Sequence, residues 1–363
     1  MALVKKNNQP AGAKERNSNI ELLRIVAMLF VIILHYNNKN NGKGFVYTEA
    51  LTMHYQLLVW FEMLAICAVD VFVMISGYFM CNSRKADVTK VLQLYGDVIF
   101  LAVFRYILLC IFTSTTFSIS TMLMQMIPLS WYVAVYSALY LISPYLNKVI
   151  RGFTEVQFRV MLLILLAVFS VWPSVLELIT ALTGYKLTSL SPMGTQGSGA
   201  GYTIVNFVLM YFLGAYLSMY SSESNAGKTI WKSLTAYGAC TVLLVIYSKI
   251  YFSGALSYCN PLVIAQSVAL FKVFQSMKIK SKVINGAASC SFGVYLLHTR
   301  FFKYFQIERF VTGNILMIPV HVVGTAIAIY IAAAITYWCY QKTLGFVINQ
   351  GIRKITCLKY EVT

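Results

Sequence analysis

Ten apolar runs divide this chain, and each is long enough to predict a membrane-spanning helix. A helix needs about 20 apolar residues to cross the hydrocarbon core of a bilayer. The runs predict an all-α protein, a polytopic transmembrane helical bundle, and the length of the last run predicts an interfacial extension. They lie near residues 20–37, 56–81, 89–112, 130–147, 158–175, 203–220, 231–252, 258–276, 287–303 and 315–346.

The first run, ELLRIVAMLFVIILHY, carries Arg24 and His35 within its apolar sequence. Such residues in a membrane segment usually face a protein interior or a hydrated cavity and mark functional sites. Eleven helical steps of about 100° come within about 20° of three full turns, so both side chains share one helix face. They are separated by roughly 16 Å along the axis. The pattern predicts a cavity with a cation at one depth and a titratable base at another.

The composition indicates an integral membrane protein. Of the 363 residues, 59% are hydrophobic and 11% are charged, and the mean hydropathy is +0.69, whereas soluble domains carry roughly 25% charged residues. The net charge of +17 does not indicate nucleic-acid binding, because the basic residues gather in alternate loops. The eight cysteines show no CxxC or Cys/His spacing, so we expect neither a metal site nor a disulfide framework.

The distribution of lysine and arginine predicts the orientation. Roughly two thirds of the 29 basic residues fall in the two tails and the even-numbered loops, so the positive-inside rule places both termini in the cytoplasm. We expect a basic cytoplasmic tail over 1–19, one membrane domain over 20–346 and a cytoplasmic tail over 347–363. The polar N-terminal residues do not have a signal-peptide pattern, so we expect the first run to remain as an anchor.

Two loop features leave alternatives open. The basic loops either set the topology and contact anionic headgroups, or line an entrance for an anionic cytoplasmic donor. The loop 176–202 contains SLSPMGTQGSGAGY, which is either a slack connector or a lid over an outward-facing pocket. We find no internal repeat of useful strength, which disfavours an inverted-repeat transporter.

Motifs in the first two runs resemble the acyltransferase 3 family of membrane O-acyltransferases. The first helix of that family carries an acidic residue, an arginine three positions later and a histidine eleven further on. Glu21, Arg24 and His35 have this spacing in NIELLRIVAMLFVIILH. The segment VDVFVMISGYFM, which begins one residue before Asp70, is similar to the family's Asp-aromatic-Ser-Gly signature. We expect Ser76 and Gly77 in that segment to permit close helix packing.

Later segments extend the resemblance over nearly the whole chain. SWYVAVYSALYLISPYLN looks like the family's tryptophan-led fourth segment, and CSFGVYLLH looks like its late segment with Tyr295 and His298. YTIVNFVLMYFLGAYL resembles members that modify bacterial surface polysaccharides. The resemblance implies transfer of an acyl group, expected to be acetyl, from acetyl-CoA or another cytoplasmic acyl-CoA to a sugar hydroxyl. Since no soluble SGNH-type domain is appended, we expect the membrane domain or a partner to complete the transfer.

Together with this resemblance, the chemistry of the side chains gives His35 and Arg24 their expected roles. Acyl transfer to an alcohol needs a base, and imidazole, with an unperturbed pKa of about 6.5, suits that task; alternatively His35 carries the acyl group briefly. Arg24 suits the phosphates of the donor, because a guanidinium binds oxyanions bidentately. The structural alternatives are an interfacial histidine bonded to a carbonyl and a snorkelling arginine paired with Glu21.

Two carboxylates of the second run are expected to assist His35. A carboxylate facing the unreactive imidazole nitrogen would fix the tautomer and stabilise the imidazolium. Glu62 is favoured because we expect it at the depth of His35, whereas Asp70 is favoured by the family resemblance. The structural alternative for each carboxylate is a buried ion pair, for instance with Arg105.

Four further residues are expected to line the acceptor or thioester cavity: Trp131, Tyr132, Tyr295 and His298. Aromatic residues at helix ends more often form an interfacial belt, and this is the alternative for the tryptophan and the tyrosines. A histidine inside a membrane span is costly, which favours a function for His298.

The sequence therefore predicts a membrane O-acyltransferase of a bacterial cytoplasmic membrane that acts on a surface or lipid-linked glycan. The expected partners are acyl-CoA, the glycan acceptor and membrane lipids, with a second copy of the chain or glycan-assembly proteins as further possibilities. No bound cofactor is expected. One alternative is a transporter or flippase for a polyprenyl-linked glycan. Another is a structural partner in a glycan-assembly complex.

Overall fold

The structure, a computed structural model, describes residues 16–113, 115–127, 130–192, 200–221 and 226–360. Over these ranges it is helical and contains no strand. The α-helices are α1 Ser18–Asn37, α2 Met53–Ala65, α3 Ala68–Met80, α4 Val88–Phe112, α5 Ile119–Gln125, α6 Trp131–Ile150, α7 Glu155–Leu166, α8 Trp172–Thr183, α9 Ile204–Tyr220, α10 Ala226–Ile250, α11 Phe252–Ala255, α12 Pro261–Gln275, α13 Lys282–Ser289, α14 Ser291–Leu297, α15 Ile307–Val311, α16 Met317–Lys342 and α17 Leu344–Tyr360.

Among the described residues, seven helical stretches are long and apolar enough to cross a membrane. They are Ser18–Asn37, Met53–Met80, Val88–Phe112, Trp131–Ile150, Glu155–Thr183, Ala226–Ile250 and Met317–Lys342. The shorter helices α9 and α12 are also apolar. The predicted polytopic helical bundle is confirmed, and nine of the ten predicted runs correspond to these apolar stretches.

The remaining predicted run, 287–303, is not one helix. The chain there forms the end of α13, then α14, and then two single turns of 3₁₀-helix at His298–Arg300 and Phe302–Tyr304. The second run is likewise divided, between α2 and α3. Neither break contains a proline. The break between α2 and α3 lies within uninterrupted apolar sequence, so the hydrophobic pattern does not reveal it.

Helix α1 packs against many other helices of the bundle. It contacts α2, α3, α12, α13, α14 and α16, and it buries Leu23 and Met28 completely. Its first turn is tied to the segment before α13, because the Asn19 side chain donates to the carbonyl of Met277 and accepts from the Ile279 N–H at 2.6 Å. These contacts fix the position of the polar residues that α1 carries into the interior.

Helices α3 and α9 approach each other closely at two glycines. A Cβ added at Gly77 would lie 2.0 Å from the carbonyl oxygen of Tyr211, and one at Gly214 would lie 2.1 Å from that of Met74. Each helix therefore places a glycine against the backbone of the other, in the small-residue packing typical of membrane helices. The close packing predicted at Gly77 is confirmed.

Candidate active site

A cavity of about 850 Å³ is bordered by α1, α4, α6 and α14. Arg24 and His35 both line it, so these two residues of α1 face one cavity, as their spacing predicts. Helix α4 contributes one face with helical spacing. That face consists of Leu94, Val98, Leu101, Ala102 and Arg105.

His35 has a defined tautomer. Its Nδ1 lies 2.8 Å from the carbonyl oxygen of Val31, one turn earlier in α1. Because a carbonyl can only accept, Nδ1 carries the hydrogen and Nε2 presents a lone pair. The imidazole thus has the protonation pattern of a general base on the wall of the cavity.

His298 contacts His35 and has the same tautomer. The two rings meet edge to face, with centroids 4.7 Å apart and an interplanar angle of 86°. The Nδ1 of His298 lies 2.7 Å from the carbonyl oxygen of Tyr295 and 3.2 Å from that of Val294. Its Nε2 is buried and has no hydrogen-bond partner in the described part of the chain. The cavity wall therefore holds two adjacent imidazoles, each with an unprotonated Nε2.

Arg24 is paired with Glu21, as the sequence suggested. Its Nε lies 3.6 Å from Oε2 of Glu21, and its side chain is 30% exposed, against 6% for the glutamate. At 3.6 Å this ion pair is longer than a charge-assisted hydrogen bond. The guanidinium borders the cavity, so the terminal nitrogens are positioned to bind an oxyanion there.

The predicted contact between a carboxylate and the His35 imidazole is not present, since none of the described acidic side chains bonds to that ring. The expected place is taken by the Val31 carbonyl, because a helical side chain leans back over the preceding turn. Glu62 lines the cavity but accepts a 2.8 Å hydrogen bond from Nδ2 of Asn37. Catalytic assistance by Glu62 remains a prediction, and its observed contact is with the end of α1.

Asp70 lies outside the cavity lining. It is buried at 1% exposure and accepts a 3.0 Å hydrogen bond from Nδ2 of Asn206 on α9. It does not form the predicted alternative ion pair with Arg105, whose Nη2 instead donates to Gln125. In this structure Asp70 joins α3 to α9, and a catalytic role for it remains a prediction.

The four predicted lining residues form one continuous wall. Trp131, Tyr132, Tyr295 and His298 all border the cavity. The Tyr132 and Tyr295 rings are 5.3 Å apart, the Tyr295 and His298 rings are 5.9 Å apart, and the Tyr295 hydroxyl lies 3.0 Å from Oγ of Ser130. Their side chains therefore line the cavity, in contrast to the interfacial-belt alternative.

Part of the predicted lid or connector also reaches the cavity. Tyr202 lines the cavity and meets the Trp131 ring at 4.4 Å. Residues 193–199 of the same loop lie outside the described residues, as do residues 1–15 of the predicted basic tail and the last three of the C-terminal tail.

The sequence reasoning missed one cationic residue of this cavity. Arg300 lines the wall two positions after His298, near the end of the predicted run 287–303. Its position directly after the CSFGVYLLH motif was the available signal. Among the described residues, no group of three or more His, Cys, Asp or Glu side chains is placed to hold a metal ion.

The fold and the site define a polytopic helical membrane protein with charged and titratable side chains around an interior cavity. The family model of the acyltransferase domain, that of the acyltransferase 3 family, matches residues 17–338, nearly the whole chain. The chain belongs to this family and is a membrane acyltransferase. No curated protein sequence and no solved structure matches it.

Proposed function

We propose that the protein moves an acetyl or other acyl group from a cytoplasmic acyl-CoA to a hydroxyl of a surface or lipid-linked glycan. It does so as a multi-pass enzyme of a bacterial cytoplasmic membrane. The observation that carries the proposal is that Arg24 and His35 line the same cavity, with the Nδ1 hydrogen of the imidazole committed to Val31. One cavity thus offers a site for phosphate and a base for a hydroxyl.

His35 carries the proton transfer. Its Nε2 takes the proton of the acceptor hydroxyl while the hydroxyl oxygen attacks the thioester carbonyl carbon. The new C–O bond forms, the C–S bond breaks, and the leaving thiolate takes the proton back from the imidazolium. The products are a glycan ester and free CoA thiol, and His35 is again neutral.

His298 assists as a positioning residue. Its ring contacts His35, and its unpartnered Nε2 can accept one hydrogen bond from the imidazolium or the incoming hydroxyl. A buried acceptor without a partner is costly, so a ligand or a transferred proton that satisfies it is stabilised. Formation of the charged intermediate is therefore favoured at this wall.

Arg24 holds the phosphates of the donor. The helix geometry separates it from His35 by roughly 16 Å, so the phosphates and the thioester of one extended donor can be bound at different depths. Tyr132, Tyr295 and Trp131 form the wall along which the donor arm and the acceptor lie.

The test uses the full-length protein in phosphatidylcholine nanodiscs with radiolabelled acetyl-CoA and, in separate reactions, methyl glucoside or glucose 1-phosphate as the hydroxyl acceptor. We expect base-labile label on the sugar and release of an equal amount of CoA thiol. A chain that forms no ester under these conditions, but moves a labelled polyprenyl-linked sugar across sealed vesicles, would be a transporter and would contradict the proposal. A chain that shows neither ester formation nor transport would also contradict the proposal.

A further inference from the structure

The cavity contains a second cationic site, at the end that holds the histidine pair. Arg105 of α4 and Arg300 both line it. Arg300 follows His298 by two residues, and the ring of His298 contacts that of His35. The two guanidinium groups and the two imidazoles therefore border one cavity.

Within the ranges that the structure describes, no carboxylate balances the charges of these two arginines. The ion pairs in the described part of the chain join Arg24 to Glu21 and Arg159 to Glu155. Arg105 donates to a neutral amide, and Arg300 has no acidic partner among the described residues. Two neighbouring cations in a low-dielectric region are unfavourable unless an anion joins them. Arg24, by contrast, is already partly neutralised.

A short helix holds Arg105 in position. The Nη2 of Arg105 donates to Oε1 of Gln125, at the end of α5, over 3.1 Å. The start of α5 is tied to α4 as well, because the Tyr106 hydroxyl accepts from the Ser118 N–H at 2.8 Å. Helix α5 is thus attached to α4 at both of its ends, and its one contact with the guanidinium, through the Gln125 amide, leaves the charge of Arg105 uncompensated.

We infer that Arg105, Arg300 and Gln125 bind a phosphate group carried by the acceptor. This inference rests on the proposed function, since it names the substrate class that the acyl-transfer site accepts. One guanidinium fork satisfies the two oxygens of a carboxylate, whereas two forks and an amide match the three oxygens and higher charge of a phosphate. The shared chemistry is a phosphate ester, either on a lipid carrier or on the sugar itself.

The position of this site favours the acceptor over the donor. Arg24 binds the donor phosphates roughly 16 Å along α1 from His35. Arg300 lines the same cavity two residues after His298, whose ring contacts His35, so it belongs to the end that holds the reacting groups. An acceptor held there by its phosphate presents its hydroxyl to the imidazole pair while the thioester arrives from the Arg24 end.

The experiment measures binding to the full-length protein in neutral phosphatidylcholine nanodiscs. The probes are glucose 1-phosphate, a long-chain polyprenyl phosphate and CoA, each titrated separately. The variants are Arg105→Gln and Arg300→Gln, with Arg24→Gln as the donor-site comparison. Arg309→Gln is the matched control, because Arg309 is exposed and lies outside the cavity lining.

We expect at least one phosphate probe to bind the native chain, and Arg105→Gln or Arg300→Gln to weaken its binding by about tenfold or more. Arg24→Gln and Arg309→Gln should leave phosphate binding unchanged, and only Arg24→Gln should weaken CoA. If only the polyprenyl phosphate binds, the phosphate that the site recognises is on a lipid carrier. If both probes bind, the site recognises the phosphate ester that the sugar phosphate and the lipid headgroup share.

Two results would overturn the inference. One is loss of CoA binding with unchanged phosphate binding in Arg105→Gln and Arg300→Gln, which would assign the arginines to the donor. The other is failure of both phosphate probes to bind the native chain. Neither depends on turnover, so a failure of acyl transfer itself is recognised separately.

Discussion

The imidazole rings of His35 and His298 meet edge to face, with their centroids 4.7 Å apart. Each ring donates its Nδ1 hydrogen to a backbone carbonyl of its own segment, so neither tautomer depends on a carboxylate. A backbone carbonyl, unlike a carboxylate, does not become protonated near neutral pH. The two carbonyls therefore hold the rings in one orientation. The pair therefore differs from a triad in which an acidic residue orients the base.

The pairing predicts that removing the second imidazole slows turnover without weakening donor binding. His298→Phe keeps a ring in the wall but lacks the Nε2 lone pair, and we expect the turnover number to fall by about tenfold to a hundredfold. The KM for acetyl-CoA should stay constant. The amide oxygen of His298→Gln can still accept a hydrogen bond, so the turnover number of this variant should lie between those of the native chain and His298→Phe. A purely structural role would instead alter KM and thermal stability together.

Substitutions at Glu62 distinguish a positioning role of its side chain from a catalytic role of its negative charge. Its carboxylate accepts from Asn37, two residues after His35. Glu62→Gln retains an acceptor oxygen, so we expect less than about a tenfold loss of acyl transfer, while Glu62→Ala should lose more. The measurement is the initial rate of thiol release for both variants. Equal inactivity of the two would show that the negative charge itself is required.

Helix packing predicts the effect of a single methyl group. Gly214→Ala would place its Cβ 2.1 Å from the carbonyl oxygen of Met74, forcing α3 and α9 apart at a cost of about 1–3 kcal/mol. We expect a lower midpoint of thermal unfolding in detergent. Gly238→Ala is the control, because no atom lies within 4 Å of its added Cβ. A native midpoint for Gly214→Ala would contradict the described packing.

Much of the fold follows from the hydrophobic pattern. Run length located nine of the apolar stretches, and helical periodicity placed Arg24 and His35 on one cavity. These features depend on local sequence and on the thickness of a bilayer. The pattern also predicted one unbroken helix over 287–303, where the chain instead breaks into α13, α14 and single turns.

The contacts within the site depend on tertiary packing and were not predictable in the same way. The neighbour of the His35 imidazole is His298, which is remote in sequence, and the acceptor of its Nδ1 hydrogen is a backbone carbonyl with no signature in the sequence. Asp70 has a motif that suggests chemistry, yet its observed partner is Asn206 on α9. Side-chain chemistry shows what a residue can do, and packing decides which partner it meets.

The most direct test of the account is product formation by His35→Gln, compared with His54→Gln. His54 is a matched control, because it bonds to the Gly313 carbonyl and does not line the cavity. With both variants inserted and binding CoA like the native chain, we expect His35→Gln to lose about 10²- to 10⁴-fold in acyl transfer. His54→Gln should retain the native rate. Native ester formation by His35→Gln would contradict the assignment of this imidazole as the base.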